Sequence, residues 1–228
     1  MTDRGLGLVI FDMDGTLLDS AALICAAMAE AFAASGREPP TPERTRQIVG
    51  LSLPIAIATL DPALTGEALA EVVENYKKSF IALRSSGQEI GRALLFPGAR
   101  EALGRFDARG ALMGVATGKA RRGLEHILDG HALRPYFVTT QTADDAPSKP
   151  HPGMIFNALR ATGVDAPRAA MVGDTTFDIQ MARAAGIAAV GVAWGCHDPD
   201  ALRAAGASAI IEDFQELDAT LERLGAGL

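Results

Sequence analysis

Two aspartates separated by one residue are the groups of this chain best placed to do chemistry. Asp12 and Asp14 follow the apolar run 6–10, which predicts a buried strand that ends close to the first acid. Two like charges about 4 Å apart repel by roughly 4 kcal/mol at an effective dielectric constant near 20. Because a cation or a proton must offset that repulsion, the pair indicates a chemical site rather than a structural one.

A second pair of acids follows another apolar run. Asp174 comes two residues after the strand predicted at 169–172, and Asp178 lies four residues further along the chain. Four residues are about one helical turn, so the two side chains are expected on the same side of a helix start. Thr175 lies between them and has the residue type of a helix N-cap, which explains it at least as well as a role in the site.

Two further segments carry groups that bind anions. The predicted strand 111–116 runs into Thr117 and Gly118, and a hydroxyl and a backbone N–H at a helix start are suited to phosphoryl oxygens. Lys149 lies in a loop and is followed by Pro-His-Pro. A lone lysine is usually a solvated surface residue, but this context favours a lysine that offsets charge in a transition state.

In this order, the four segments resemble the motifs of the haloacid dehalogenase-like superfamily of aspartate-nucleophile phosphohydrolases. The resemblance covers nearly the whole chain, and the combination is specific because each segment supplies a different part of one phosphoryl-transfer site. It implies that Asp12 is the nucleophile that forms an aspartyl-phosphate, and that Asp14 is the general acid and base. Dehalogenases of the superfamily lack an acid at the second position, so Asp14 favours phosphoryl chemistry over halide displacement.

The resemblance also implies a magnesium cofactor. The ion would be bound by Asp12, by Asp174 and by the backbone carbonyl of Asp14. Asp178 would support the ion or its waters from one helical turn away. Magnesium prefers a few carboxylates together with waters and a substrate phosphate, which fits this set of acids.

Substrate binding is assigned by the same resemblance to the remaining motif residues. Thr117 and the backbone N–H of Gly118 would bind the phosphoryl oxygens, and Lys149 would pair with both the phosphoryl group and Asp12. A short basic cluster follows the second of these residues, and a solvated helix start explains it better than support for an anionic substrate does. The cluster consists of Lys119, Arg121 and Arg122.

Beyond residue 95, apolar strand patterns alternate with helical patterns. This alternation predicts the α/β class, with a doubly wound parallel sheet, a Rossmann-like core, and ligands bound beyond the carboxyl ends of the strands. With the first strand at 6–10, the predicted strands of the sheet are 111–116, 136–139, 169–172, 188–192 and 209–211. The predicted helices of this part are 99–108, 121–128, 153–162, 177–185, 199–205 and 214–224.

Between the first two motifs the pattern is helical. We predict a small α-helical cap domain at residues 20–90, inserted into a core domain formed by residues 1–19 and 91–228. The position of the insert matches the capped branch of the superfamily that contains phosphoglycolate phosphatases. Four residues of the insert are candidates for substrate contact, although surface or packing roles are the more common ones for such residues. They are Arg44, Arg46, Leu51 and Ser52.

Composition restricts the partners and the compartment. The 228 residues include 28 acidic and 21 basic ones, for a net charge of −7, without a basic stripe. This balance argues against nucleic acid and anionic membranes as partners. With neither a leader segment nor an apolar run of about 18 residues, the chain is expected to be cytoplasmic. Cys25 and Cys196 are then expected to be reduced thiols. A monomer or a homodimer is expected.

These observations predict a magnesium-dependent phosphatase that acts on a small phosphorylated metabolite. A phosphomutase of the β-phosphoglucomutase type remains an alternative, because it would keep the same core and retain the phosphoenzyme longer. A phospho-accepting signalling protein is an alternative from a different class, since such receivers also use an aspartate, magnesium and a lysine. The length of this chain and its helical insert argue against that second alternative.

Overall fold

The computed structural model describes residues 7–86, 91 and 93–226. Its strands are β1 (Leu8–Phe11), β2 (Leu18–Asp19), β3 (Leu94–Leu95), β4 (Leu112–Ala116), β5 (Thr139–Gln141), β6 (Ala169–Gly173), β7 (Ala188–Val192) and β8 (Ala209–Ile211). Six of them form one sheet in the order β5-β4-β1-β6-β7-β8, and every neighbouring pair is parallel. The predicted α/β class with a parallel sheet is therefore confirmed.

The central strand shows why the sheet is covered on both faces. All four residues of β1 are fully buried. Val9 and Phe11 belong to one apolar cluster of the protein, whereas Leu8 and Ile10 belong to another. Side chains alternate between the faces of a strand, so a continuous apolar run fits a strand that is covered from both sides. β1 pairs with β4 on one side and with β6 on the other.

Helices supply the two covering layers. The described helices are α1 (Ala21–Ala34), α2 (Pro42–Arg46), α3 (Leu53–Leu60), α4 (Gly66–Ser85), α5 (Ala99–Ala108), α6 (Arg121–Gly130), α7 (Gly153–Thr162), α8 (Thr176–Ala184), α9 (Pro199–Ala205) and α10 (Leu217–Arg223), of which α5 to α10 form these layers. Helices α5, α6 and α10 contribute to the cluster of Phe11, and helices α7, α8 and α9 contribute to the cluster of Leu8. Within the described residues, none of these helices is both long and apolar enough to cross a membrane.

Helices α1 to α4 form a helical insert between β2 and β3. They pack around an apolar cluster of their own, which includes Phe32, Ile57 and Val72. The side chain of Thr41 accepts a hydrogen bond from the backbone N–H of Arg44 and caps α2. The short strands β2 and β3 pair antiparallel where the chain enters and leaves the insert.

One predicted strand lies in the wrong place. The sequence predicted a strand at 136–139, but the structure has a 3₁₀-helix at Arg134–Tyr136 and the strand β5 at Thr139–Gln141. Pro135 has no N–H to donate to a sheet and favours the tight turn instead. The apolar run therefore belongs mostly to the turn that precedes the strand.

The ends of other elements shift by a few residues. The helix predicted at 214–224 is α10, which begins at Leu217, because the side chain of Asp213 accepts a hydrogen bond from the N–H of Gln215 and holds a turn there. Residue 6, the predicted start of the first strand, lies outside the described residues. Residues 87–90, at the predicted end of the insert, lie outside them as well.

Candidate active site

The residues singled out from the sequence meet at one edge of the sheet. Asp12 directly follows β1, Thr117 directly follows β4, and Asp174 directly follows β6. These strands are neighbours and parallel, so their carboxyl ends lie side by side. Lys149 reaches the same place from the loop that follows β5, and its ammonium lies 2.8 Å from Oδ1 of Asp12.

Asp12 is buried and poorly satisfied. Its side chain is almost inaccessible, with the residue 1% exposed, and its backbone N–H donates to the carbonyl of Val172. Neither carboxylate oxygen accepts a well-aligned hydrogen bond from any residue that the structure describes, although Lys149 lies at ion-pair distance. Burial raises the pKa of Asp12 well above its usual value; Lys149 opposes this shift, and Asp178 and Asp174 add to it.

Asp178 holds Lys149 in place. Its Oδ1 lies 2.6 Å from the Lys149 ammonium. Its Oδ2 accepts hydrogen bonds from the N–H and the hydroxyl of Thr175, at 3.0 Å and 2.7 Å. Thr175 and Asp178 form a capping box at the start of α8, so the N-cap role predicted as an alternative for Thr175 is present. Burial lowers the pKa of Lys149, but the charges of Asp12 and Asp178 outweigh it and leave that pKa above its usual value.

Asp174 is held by the protein on both oxygens. Oδ1 accepts from the hydroxyl of Thr16 at 2.9 Å, and Oδ2 accepts from the backbone N–H of Cys196 at 2.8 Å. Burial, followed by the charge of Asp178, raises the pKa of Asp174 to about 7. The cluster therefore binds a proton more readily than an ordinary aspartate does.

Two glycines make room for Asp174. A Cβ at Gly15 would lie 2.1 Å from Oδ2 of Asp174, and a Cβ at Gly195 would lie 2.0 Å from its Cβ. Gly15 also has φ of +82°, a conformation that other residues rarely adopt. Any larger residue at either position would displace the acid, so both glycines are part of the site.

A divalent cation fits this cluster. Asp12, Asp174 and Asp178 are the described acids that each offer an oxygen within 4.8 Å of the others, and all three are buried. Lys149 supplies one positive charge against three carboxylates. The oxygens of Asp12, which accept no well-aligned hydrogen bond from the described residues, and an all-carboxylate donor set match what magnesium prefers. Asp178 already binds Lys149 and Thr175, which suits the supporting role that the resemblance implies for it.

The side chain of Asp14 faces a different group. It accepts a hydrogen bond from the hydroxyl of Ser20, and its Oδ2 lies 2.7 Å from the ammonium of Lys119. The same ammonium lies 5.2 Å from the ring centroid of Phe80, which belongs to α4 of the insert. Asp14 therefore lies on the side of the site that the insert covers, and its carboxylate pairs with the ammonium of Lys119 rather than with Lys149.

A loop of the insert lies directly over the site. A Cβ at Gly118 would lie 2.4 Å from the carbonyl oxygen of Gly50 and 2.5 Å from that of Leu51. The next residue, Ser52, donates its backbone N–H to the hydroxyl of Ser148 at 2.9 Å. Because Ser148 precedes Lys149 in the chain, the insert contacts both the phosphate-binding loop predicted from the sequence and the loop that carries the lysine.

The candidates for substrate contact in the insert separate into two groups. Leu51 and Ser52 lie in the loop that covers the site. The guanidinium of Arg44 instead donates to the carbonyl of Leu60, on the side of the insert that bears a surface cavity lined by Arg37 and other residues. Arg44 thus has a local partner within the insert.

The basic cluster after Thr117 also separates. Lys119 pairs with Asp14 inside the site. Arg121 donates to Thr140 and pairs with Asp145 on the neighbouring loop. Arg122 is exposed. The solvated helix start favoured by the sequence pattern fits Arg122 but not Lys119, since only a three-dimensional contact reveals the partner of the lysine.

Sequence reasoning missed several residues that touch the site. Thr16 and Cys196 bind Asp174, Ser20 binds Asp14, and Ser148 binds the insert. Thr16 follows the first acidic motif by two residues, so its position could have drawn attention. Cys196 acts through its backbone N–H, which any residue type could supply, and nothing in the sequence marks it.

The chain is similar to known proteins over most of its length. Residues 9–192 match the family model described as haloacid dehalogenase-like hydrolase. The chain is 36% identical over 212 residues to the protein of Dickeya dadantii named "Probable phosphatase IndB", covering 92% of this chain and 91% of that protein. It is 31% identical over 216 residues to the phosphoglycolate phosphatase of Pseudomonas savastanoi, covering 92% of this chain and 78% of that one.

A solved structure is similar over the whole chain. The crystal structure of a hydrolase from Pseudomonas syringae superposes with a TM-score of 0.84 at 26% identity, covering 95% of this chain and 98% of that chain. The chain belongs to the haloacid dehalogenase-like hydrolase family. The family and the enzyme class predicted from the four motifs, a phosphatase of this family, are therefore confirmed.

Proposed function

We propose that this protein hydrolyses a small phosphomonoester through an aspartyl-phosphate on Asp12, with magnesium as its cofactor. The environment of Asp12 is the observation that carries the proposal. Its carboxylate is buried, accepts no aligned hydrogen bond from the described residues, and lies 2.8 Å from a fixed ammonium. A carboxylate in that state is available to attack phosphorus, and the neighbouring charge of Lys149 offsets the charge that develops.

The proposed reaction has two displacements. In the first, an oxygen of Asp12 forms a bond to phosphorus while the bond between phosphorus and the substrate alcohol breaks, and Asp14 gives its proton to the leaving oxygen. In the second, Asp14 takes a proton from water, whose oxygen displaces Asp12 and releases inorganic phosphate. Thr117 and the N–H of Gly118 bind the phosphoryl oxygens, and Lys149 pairs with them throughout.

We propose that the acids of the site bind the metal. Asp12 and Asp174 would bind it through side-chain oxygens and Asp14 through its backbone carbonyl. Asp178 would hold the ion or its waters in place. When bound, magnesium would offset the negative charge of the phosphoryl group and of the acids. The close approach of three buried carboxylates to one another supports this assignment.

We propose that the insert is a cap domain, at residues 20–90, and that residues 1–19 and 91–228 form the catalytic core. The loop from Gly50 to Ser52, which lies against Gly118, would exclude water and contact the alcohol half of the substrate. The relatives named phosphoglycolate phosphatases support a small phosphomonoester as the substrate. The free cysteines Cys25 and Cys196 support a reducing, cytoplasmic location.

The test is a panel of phosphomonoesters assayed for released phosphate, with kcat/KM reported for each, in magnesium and in excess chelator. Wild-type protein and Asp12→Asn, which keeps the side-chain size but cannot attack phosphorus, form the matched pair. An acid-quenched sample of the wild type should show a phosphoryl adduct on the peptide that contains Asp12. Full activity in chelator would contradict the metal assignment, and an isomerised sugar phosphate in place of free phosphate would favour the mutase alternative.

A further inference from the structure

Lys119 lies at the boundary between the core and the insert. Its ammonium is 2.7 Å from Oδ2 of Asp14, and the two side chains are 13% and 10% exposed. The same ammonium lies 5.2 Å from the ring centroid of Phe80 in α4. The charged end of this lysine thus contacts both the acid of the core and an aromatic ring of the insert.

In the described part of the chain, Lys119 has fewer carboxylate partners than Lys149, the other lysine of the site. Lys149 is completely buried and binds two carboxylates, those of Asp12 and Asp178. Among the residues that the structure describes, Lys119 pairs with one carboxylate and one ring, although an ammonium has three hydrogen-bond donors. Against these described partners it retains donors that can bind a further anion.

The position of Asp14 determines what Lys119 can reach. In the proposed reaction, Asp14 must come within about 3 Å of the oxygen that leaves with the alcohol. Lys119 lies 2.7 Å from Oδ2 of that carboxylate, so where Oδ2 transfers the proton its ammonium lies within about 6 Å of the leaving oxygen, a span that one hydrogen bond and a two-carbon alcohol can bridge. The alcohol half of a substrate is therefore within reach of Lys119.

Aromatic side chains of α4 border this position. The rings of Phe80 and Tyr76 lie 5.8 Å apart between centroids and form an apolar wall. Burial, together with the charge of Asp14, raises the pKa of Tyr76, which keeps its hydroxyl neutral. Next to an uncharged, partly buried surface, the interaction of an ammonium with an anion is stronger than it is in bulk water.

We propose that Lys119 is a specificity-determining residue that binds an anionic group on the alcohol half of the substrate, a carboxylate or a second phosphate. The proposal rests on the proposed function and narrows its substrate class. It also explains how a chain with a net charge of −7 attracts a substrate that carries negative charge at both ends, because a local cation replaces a favourable overall field.

The experiment compares substrates that share a two-carbon chain. Phosphoglycolate, ethyl phosphate and phosphoethanolamine end in a carboxylate, a methyl group and an ammonium, and the bisphosphate of ethylene glycol ends in a second phosphate. Each is assayed for kcat/KM with wild-type protein, Lys119→Met and Lys119→Arg. Arg122→Met is the matched control, because Arg122 lies on the same helix start but is exposed.

We expect Lys119→Met to lower the preference for an anionic substrate over ethyl phosphate by about 10- to 100-fold, the range of a hydrogen bond between charged groups. Lys119→Arg should recover part of that preference, and Arg122→Met should leave it unchanged. If only one anionic substrate loses its advantage, its end group is the one that Lys119 binds. Thermal unfolding of each variant shows whether the fold is kept.

The controls separate this proposal from the proposed function. If ethyl phosphate is hydrolysed and Lys119→Met lowers kcat/KM for every substrate by the same factor, the lysine only positions Asp14 and the proposal is wrong. A wild-type protein that prefers neither phosphoglycolate nor the bisphosphate over phosphoethanolamine overturns it as well. Absence of turnover with every ester, in wild-type protein that binds magnesium, overturns the proposed function and this inference with it.

Discussion

The site contains two aspartate–lysine pairs with similar distances between the charged groups but different exposure to solvent. The buried pair, Asp12 with Lys149, is 2.8 Å apart, and the border pair, Asp14 with Lys119, is 2.7 Å apart. The buried pair is fully enclosed by the core. The border pair is partly exposed and touches Phe80 of the insert.

This difference in burial suggests different roles for the two lysines. Lys149 is fixed by a second carboxylate, that of Asp178, which is itself fixed by the cap of α8. Such a network holds one arrangement, because removing a member leaves a buried charge without its partner. The border pair is less enclosed, with side chains 13% and 10% exposed. In the proposed roles, Asp12 and Lys149 act on the phosphorus, Asp14 moves the proton, and Lys119 binds the part of the substrate that varies.

The largest expected effect is at the buried pair. Asp12→Asn should reduce turnover to a trace while the protein stays folded, because the amide has the size of the carboxylate but cannot attack phosphorus. Steady-state turnover in magnesium and thermal unfolding measure the two halves of this expectation. A variant that keeps a substantial part of the wild-type kcat would show that Asp12 is not the nucleophile.

Asp14→Asn should cost about 10²- to 10⁴-fold, because one group performs both proton transfers. A substrate with a good leaving group should recover the first step in single-turnover experiments, since its alcohol leaves without a proton. Hydrolysis of the phosphoenzyme should stay slow. Equal losses in both steps for good and poor leaving groups would contradict the role of Asp14.

The two pairs should also differ in their contribution to stability. Lys149→Met removes the positive partner of two buried carboxylates, those of Asp12 and Asp178, and should lower the free energy of unfolding by roughly 3 kcal/mol. Lys119→Met breaks the more exposed pair and should change it by about 1 kcal/mol or less. Denaturant unfolding of both variants in chelator tests this contrast. Similar losses at the two sites would show that the pairs are not distinct.

The buried acids should make the metal-free protein sensitive to pH. Burial and the charge of Asp178 raise the pKa of Asp174 to about 7, so the folded state binds a proton that the unfolded state releases near pH 4. Stability from this group is fully present below about pH 4 and is lost as the pH rises through about 7.

In chelator, the melting temperature should therefore fall between pH 5 and pH 8 as this contribution is lost. Asp174→Asn, which does not titrate, should show a flatter profile. Added magnesium should raise the melting temperature more at pH 8 than at pH 5, because it binds the ionised acids. A magnesium effect that is the same at both values would contradict the metal site.

The smallest expected effect is at the contact between the insert and the lysine loop. Ser148→Ala removes the acceptor for the N–H of Ser52 and should lower kcat/KM by about fivefold, the value of one neutral hydrogen bond. Ser208→Ala removes a similar hydroxyl acceptor, the one for the N–H of Ala189 near the amino end of β7, and is the matched control. If both variants behave alike, the hydrogen bond does not hold the insert over the site.

Much of the core could be predicted from the sequence for physical reasons. A strand covered on both faces must be apolar throughout, so β1, β4, β6 and β7 are visible as apolar runs. Parallel strands bring their carboxyl ends to one edge of the sheet, so Asp12 and Asp174, which follow two of these runs, are expected at the same edge.

The border of the site could not be predicted in the same way. The contact between Lys119 and Phe80, and that between Ser148 and Ser52, join segments far apart in the chain and depend on how the insert is oriented. A lysine at a helix start has the same local pattern whether it faces solvent or an acid. The 3₁₀ turn before β5 escaped prediction because an apolar run of three or four residues fits a turn as well as a strand.

The antiparallel pair β2–β3 makes the insert exchangeable. Leu18 lies opposite Leu95 and Asp19 opposite Leu94, so the chain leaves the core and returns to it at neighbouring positions. A tight turn could join these two strands, and a different module could be grafted there, without altering the register of the six-stranded sheet. The junction is thus a natural point at which to recombine one catalytic core with new recognition elements.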